Sequence, residues 1–150
     1  METKAAIIHY CRYQERCHAE VKNKLYELGC HTAMVNDLIT TMIEMDLLNE
    51  ERFAKAFARG KFRMKQWGRE KIKQELRLRK VSDYCIKKGM KEIDGDEYDA
   101  VLNKLADKKC IDIQKDRSLA SKKMKLYRYL VQKGYERDIV MEQVKKRFDK

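Results

Sequence analysis

Proline is absent from the 150 residues, and glycine occurs only six times. Proline inside a helix removes an N–H and clashes with the preceding turn, so a chain without it meets no such break. Leu, Ile, Met, Ala and long charged side chains, which lose little rotamer freedom in helices, make up most of what remains. The composition reads as all-α. The five cysteines (Cys11, Cys17, Cys30, Cys85 and Cys110) form an odd, irregular set with no C-x-x-C spacing. That excludes an evident disulfide framework and points to reduced thiols in the cytoplasm. No hydrophobic run is long enough to cross a bilayer, and the N-terminus lacks a signal-like apolar segment, so no membrane partner is expected.

Catalytic patterns are missing too. The sequence has no P-loop, G-x-G-x-x-G or H-E-x-x-H, which leaves nucleotide and zinc-protease chemistry without a foothold. His9, His18 and His31 all lie in the first third, and none belongs to a recurring nucleophile–base arrangement. Cys17-His18 and Cys30-His31 suggest metal ligands at first sight. Adjacent helical residues point about 100° apart, however, and zinc sites use spaced pairs. Buried structural thiols are the expectation, with no enzyme activity, cofactor or metal.

Acidic residues are scarce in one stretch above all. From Arg52 to Lys80 there are twelve Lys or Arg against Glu70 and Glu75, a charge of +10 where the whole chain carries +11. The same stretch holds the only tryptophan, Trp67. Just before it, Asp37 to Glu51 contains no Lys or Arg. A cationic field of this kind steers polyanions and raises their local concentration.

Apolar spacing predicts helices over Lys4–Gln14 and Cys17–Leu28, then one capped by Thr32. Asn49 is expected to cap the next, with Phe53, Ala54, Phe57, Ala58 and Phe62 inward. After a break at Trp67-Gly68, helices follow over Arg69–Lys80 and from a Ser82 cap to about Ile93. The Asp94-Gly95-Asp96-Glu97 turn opens the last third, where Gln114–Ser121 reads as a loop between helices. Lys122–Lys133 and Asp138–Phe148 close the chain.

Three stretches align. Val21, Leu25, Cys30 and Val35 match Ile72, Leu76, Val81 and Ile86, and then Leu126, Leu130, Tyr135 and Val140, at offsets of 51 and 54 residues. Gly29 and Gly134 share a position that Lys80 fills in the middle copy. The chain therefore reads as three tandem three-helix repeats, 1–48, 49–95 and 96–150, stacked into an elongated, curved body.

Two basic rows run at helical spacing through the middle repeat, Arg52/Lys55/Arg59/Arg63 and Arg69/Lys73/Arg77/Lys80. Lys61, Lys65 and Trp67 complete the candidate set. If about six phosphate contacts formed, affinity would fall roughly 10³-fold between low and moderate salt. No set of Asn, Gln or Arg is assignable to base edges, so backbone-level contact with single- or double-stranded DNA fits better than sequence readout. A solvated basic face and a protein-interaction module, with Trp67, Phe62 and Arg63 as anchors, are the competing readings.

Leu47-Leu48-Asn49-Glu50-Glu51-Arg52-Phe53-Ala54, with Phe57-Ala58-Arg59 and Gly68-Arg69-Glu70-Lys71-Ile72-Lys73-Gln74-Glu75-Leu76, resembles the middle repeat of the RecX family. Arg12–Leu28 and Lys125–Val144 resemble its outer repeats. Trp67-Gly68-Arg69 stands where that family often has Gly-Pro, and the glycine usual near Lys80 is missing. The resemblance implies a regulator that binds the groove of the RecA–single-stranded-DNA filament; a non-enzymatic monomer is the expectation. The resemblance further implies inhibition of RecA ATPase, strand exchange and coprotease activity. A DNA-binding helical protein acting without RecA is the alternative.

Overall fold

The computed structural model describes residues 2–149 and is all-α. Among the described residues there are nine helices: α1 (Thr3–Tyr13), α2 (His18–Glu27), α3 (Thr32–Glu44), α4 (Glu50–Lys65), α5 (Arg69–Leu78), α6 (Asp83–Met90), α7 (Gly95–Asp112), α8 (Leu119–Lys133) and α9 (Arg137–Phe148). They fall into three groups of three. The offsets seen in the sequence recur in the structure: α3, α6 and α9 begin at Thr32, Asp83 and Arg137, and α5 repeats the bounds of α2 shifted by 51.

All twelve aligned apolar positions are buried. The turn between the second and third helix of each group is also the same. Residues Gly29, Lys80 and Gly134 all have positive φ, at 91°, 61° and 105°. The next N–H in each copy reaches back five residues, Cys30 to the Leu25 carbonyl at 3.1 Å, Val81 to Leu76 at 3.1 Å and Tyr135 to Leu130 at 3.2 Å. This is the Schellman ending, which satisfies carbonyls left open at a helix C-terminus and normally uses glycine at the left-handed residue. The middle copy makes the same turn with a lysine.

The caps refine the sequence expectations. Asn49 Oδ1 accepts from the Arg52 N–H at 2.9 Å and Ser82 Oγ from the Cys85 N–H at 3.2 Å, both as expected. Thr32, expected as a cap, is instead the first residue of α3, and His31 Nδ1 accepts from the Met34 N–H at 3.4 Å. The imidazole takes this role because His31 has the extended backbone a cap requires. Helix α8 starts earlier than its apolar stripe suggests, because Ser118 Oγ accepts from the Ser121 N–H at 3.2 Å. Asp116 holds that turn through Ser121 Oγ at 2.5 Å and Lys125 Nζ at 2.7 Å. Those contacts lower its carboxyl to about 2.

The chain divides into two compact units, with the dividing lines inside α4 and α5 and at the last residue of α6. One comprises residues through Phe57 together with Glu75–Gly89. Its core includes Ile7, Cys11, Val21, Leu25, Cys30, Val35, Met42 and Leu48, and burial pushes the Cys11 and Cys17 thiols up. The second comprises Ala58–Gln74 together with the residues from Met90 onward. Tyr98, Leu102, Leu105, Ala106, Leu126, Leu130 and Tyr135 are buried in it. No helix among the described residues is long and apolar enough to cross a membrane.

An L-residue held in the left-handed region costs about 1 kcal/mol relative to glycine. Lys80→Gly is therefore expected to raise the free energy of unfolding by ~0.5–1 kcal/mol, read by urea denaturation. An unchanged or lower midpoint would show that the Lys80 side chain offsets its backbone strain.

Candidate functional site

The eleven basic and aromatic residues singled out in the sequence separate into two kinds. Several are committed within the fold. In the first unit, Arg52 Nε meets Glu15 Oε2 at 2.7 Å, while its Nη1 and Nη2 reach Asp46 Oδ1 at 3.1 Å and the Asp46 carbonyl at 2.8 Å. The Glu15 contact raises the Arg52 pKa further, and the guanidinium acts as a clamp between α4 and the segments before α2 and α4. Lys55 pairs with Glu51 at 3.1 Å. In the second unit Arg59 pairs with Glu92 at 2.6 Å, and Lys73 with Glu70 at 3.4 Å. The Trp67 ring has Lys61 Nζ at 5.1 Å and Lys71 Nζ at 4.6 Å from its centroid, so its face is engaged by cations of its own chain.

Arg69 is the most deeply engaged. Its Nη1 donates to Glu136 Oε2 at 3.0 Å and its guanidinium lies 3.8 Å from the Tyr98 ring centroid. Its backbone N–H donates to Tyr98 Oη at 2.9 Å, and that hydroxyl donates to Glu136 Oε1 at 2.5 Å. The segment 66–69 and the segment 133–136 meet almost backbone to backbone. The Gly68 N–H donates to the Lys133 carbonyl and the Glu70 N–H to the Gly134 carbonyl, each at 2.8 Å. Tyr135 Oη and Lys133 Nζ donate to the carbonyls of Gln66 and Lys65, at 2.9 and 3.0 Å. A Cβ on Gly68 would lie 2.3 Å from the Gly134 carbonyl carbon and oxygen, a separation no side chain tolerates. Glu136 occupies the position that Ser82 holds in the middle copy, but it makes no side-chain cap. Its carboxylate is drawn away to Arg69 and Tyr98.

The other kind faces water. Arg63 and Lys65 in the second unit, and Arg77 and Lys80 in the first, are exposed and have no ion pair among the described residues. The expected rows are thus interrupted: their early members hold the fold together, and these four side chains are available to an anion. Sequence spacing missed this division because the neutralising carboxylates Glu15, Glu92 and Glu136 lie far away along the chain. The 51- and 54-residue offsets did carry a signal for one of them, since they place Glu136 at a cap position where Ser82 stands.

Two expected outcomes follow from the Tyr98 joint. Gly68→Ala forces the Gly134 backbone away and should cost about 3 kcal/mol in a denaturation experiment. Burial pushes the hydroxyls of Tyr98 and Tyr135 well above the ordinary 10.0, with the Glu136 hydrogen bond adding to the effect at Tyr98. Below pH ~10 folded and unfolded chains hold these protons alike; above it the unfolded chain releases them first, so stability falls as pH rises. Tyr98→Phe should flatten that alkaline loss in melting temperatures taken between about pH 9 and 11. An equal slope in the variant would assign the loss to other groups.

Comparison with known proteins places this arrangement. Residues 49–90 match the family model described as "RecX, second three-helix domain", and residues 96–148 match "RecX, third three-helix domain". "Regulatory protein RecX" of Clostridium perfringens (strain SM101 / Type A) is 33% identical over 120 residues, covering 79% of this chain and 56% of that protein. "Regulatory protein RecX" of Lactococcus lactis subsp. cremoris (strain SK11) is 28% identical over 134 residues, covering 88% of this chain and 50% of that one. The chain thus spans about half the length of the curated relatives it matches. Among solved structures, the crystal structure of RecX from Lactobacillus salivarius superposes with a TM-score of 0.83 at 24% identity, covering 97% of this chain and 94% of that one. A second, described as regulatory protein RecX, gives a TM-score of 0.85 at 19% identity, covering 97% and 70%. The two matched three-helix domains together span more than half of the residues and establish that the chain belongs to the RecX family.

Proposed function

We propose that this chain is a non-enzymatic, cytoplasmic regulator that binds the RecA–single-stranded-DNA filament and inhibits RecA ATPase, strand exchange and coprotease activity. The observation that carries the reading is family membership combined with four exposed cations, Arg63, Lys65, Arg77 and Lys80, that have no ion pair among the described residues. A folded chain that pairs half of its twelve middle cations with its own carboxylates yet leaves these four exposed has them available for an external anion, either DNA phosphate or an acidic protein surface. Phosphate contact by four such groups is salt-sensitive and indifferent to sequence. The domain boundaries proposed are 1–48, 49–95 and 96–150, and the chain is proposed to act as a monomer.

The decisive measurement is RecA ATP hydrolysis on single-stranded DNA with this protein titrated in below RecA stoichiometry. Progressive inhibition is expected, and a flat titration with intact filaments would reject the reading. Charge reversal belongs on the exposed residues. Arg63→Glu with Lys65→Glu, or Arg77→Glu with Lys80→Glu, should weaken inhibition by roughly 10-fold or more while leaving the melting temperature unchanged. Arg69→Glu is unsuitable for this purpose, because it would bring a second carboxylate against Glu136.

A further inference from the structure

A surface feature occurs twice, once in each compact unit, at the 51-residue repeat offset. The last turn of α1 carries Arg12 and Tyr13; near the end of α4 the equivalent residues are Arg63 and Met64. Tyr13 is 75% exposed and Met64 83%, the two most exposed large apolar side chains among the described residues. Arg12 and Arg63 are exposed as well, with no ion pair among the described residues. A cation–aromatic contact accompanies each pair, again at the 51-residue offset but with its members exchanged. Arg16 lies 3.7 Å from the Tyr10 ring centroid in the first unit, and Lys61 Nζ lies 5.1 Å from that of Trp67 in the second. In the first unit the Tyr13 ring borders a depression of about 430 Å³ that Tyr10, Arg16, Lys24 and Leu28 also line.

A single exposed apolar side chain needs no explanation. The same arginine–apolar pair at one position in two copies is different, because burial holds neither apolar side chain there; Tyr13 has the Arg16 guanidinium 6.0 Å from its ring centroid yet stays 75% exposed, and Met64 is 83% exposed. Arg, Tyr and Met are the residue types enriched where proteins dock, whereas Lys is depleted there. The chemistry also favours a protein over a nucleic acid. A strand that stacks its bases needs a π-face at each contact, and methionine has none. An apolar protein pocket accepts tyrosine or the pliable methionine alike, and an adjacent carboxylate can take an arginine in a two-pronged bond. Duplicating a contact within one chain strengthens binding only where the partner offers the same pocket more than once.

We propose that Arg12–Tyr13 and Arg63–Met64 are twin anchors for an assembly of identical protein subunits, each presenting an apolar pocket beside a carboxylate. The proposal rests on the filament-binding reading above, and assigns the residues that grip the protein component rather than the DNA. Linking two anchors makes the second contact intramolecular, so losing one forfeits the whole gain from linkage.

The test uses the full chain and RecA filaments assembled on single-stranded DNA with a non-hydrolysable ATP analogue, with binding read by fluorescence anisotropy of the labelled protein. Arg12→Glu with Tyr13→Ala, and separately Arg63→Glu with Met64→Ala, should each weaken filament binding by at least about 10-fold, and the four changes together should abolish it. The charge-neutral pair Tyr13→Ala with Met64→Ala should weaken filament binding comparably, yet leave affinity for a bare oligothymidylate within about twofold of the unmodified chain. All four side chains are exposed, so helical circular dichroism and melting temperature should match throughout. If either arginine–apolar variant holds the filament as tightly as the unmodified chain, the anchors are wrong. Equal losses on filament and bare oligothymidylate from the charge-neutral pair would make nucleic acid the occupant and overturn the proposal. An unmodified chain that fails to bind filaments sinks the filament reading and the anchors together, whereas binding with indifferent variants removes the anchors alone.

Discussion

Two strips of backbone, 66–69 and 133–136, lie against each other in the second unit with no side chain between them. Glycine at 68 permits the contact, since a Cβ there would sit 2.3 Å from the Gly134 carbonyl carbon. Once the strips are that close, the N–H groups of Gly68 and Glu70 find carbonyls across the gap at 2.8 Å and leave no room for water between them. Tyr98, Arg69 and Glu136 then close over the joint. Removing any of these three would leave a buried or half-buried polar group short of a partner, which costs more than the net worth of the bond lost. The surface cations at the end of α4 take their position from this joint, because the chain turns into it directly after Lys65.

How far the sequence disclosed this depends on the distance over which each interaction acts. The apolar repeat was legible because burial follows helical spacing within about fifteen residues, and its twelve positions are all interior. The left-handed turns were legible where glycine marks them. At Lys80 only alignment with Gly29 and Gly134 indicated one, since lysine carries no signal for positive φ. The division of basic residues into structural and exposed was not legible. Arg69 and Arg77 look alike on a helical wheel, and they differ because Glu136, 67 residues beyond Arg69, reaches it in the folded unit. Charge counting treats both as surface.

The three copies also show how one scaffold diverges. The position that caps the third helix is His31 in the first copy, Ser82 in the second and Glu136 in the third. Only the first two cap. Glu136 has exchanged a local hydrogen bond for a long-range one, leaving the N-terminus of α9 to the favourable field of Asp138 in its first turn. Similar exchange has occurred at the ends of the first helices, where an arginine over a tyrosine in one copy becomes a lysine over a tryptophan in the next. Packing positions stay apolar while polar positions are reassigned, which is how a repeated fold acquires distinct faces.

Trp67 is the sole indole in the chain. It stands immediately before Gly68, with two lysine ammonium groups about 5 Å from its ring. Excited indole is sensitive to nearby charge and to water, so the chain's tryptophan emission comes from one place only. The protein thus carries a built-in optical reporter seated at the joint itself. Loosening of that joint is visible in an unlabelled sample, separate from events in the α1–α3 core.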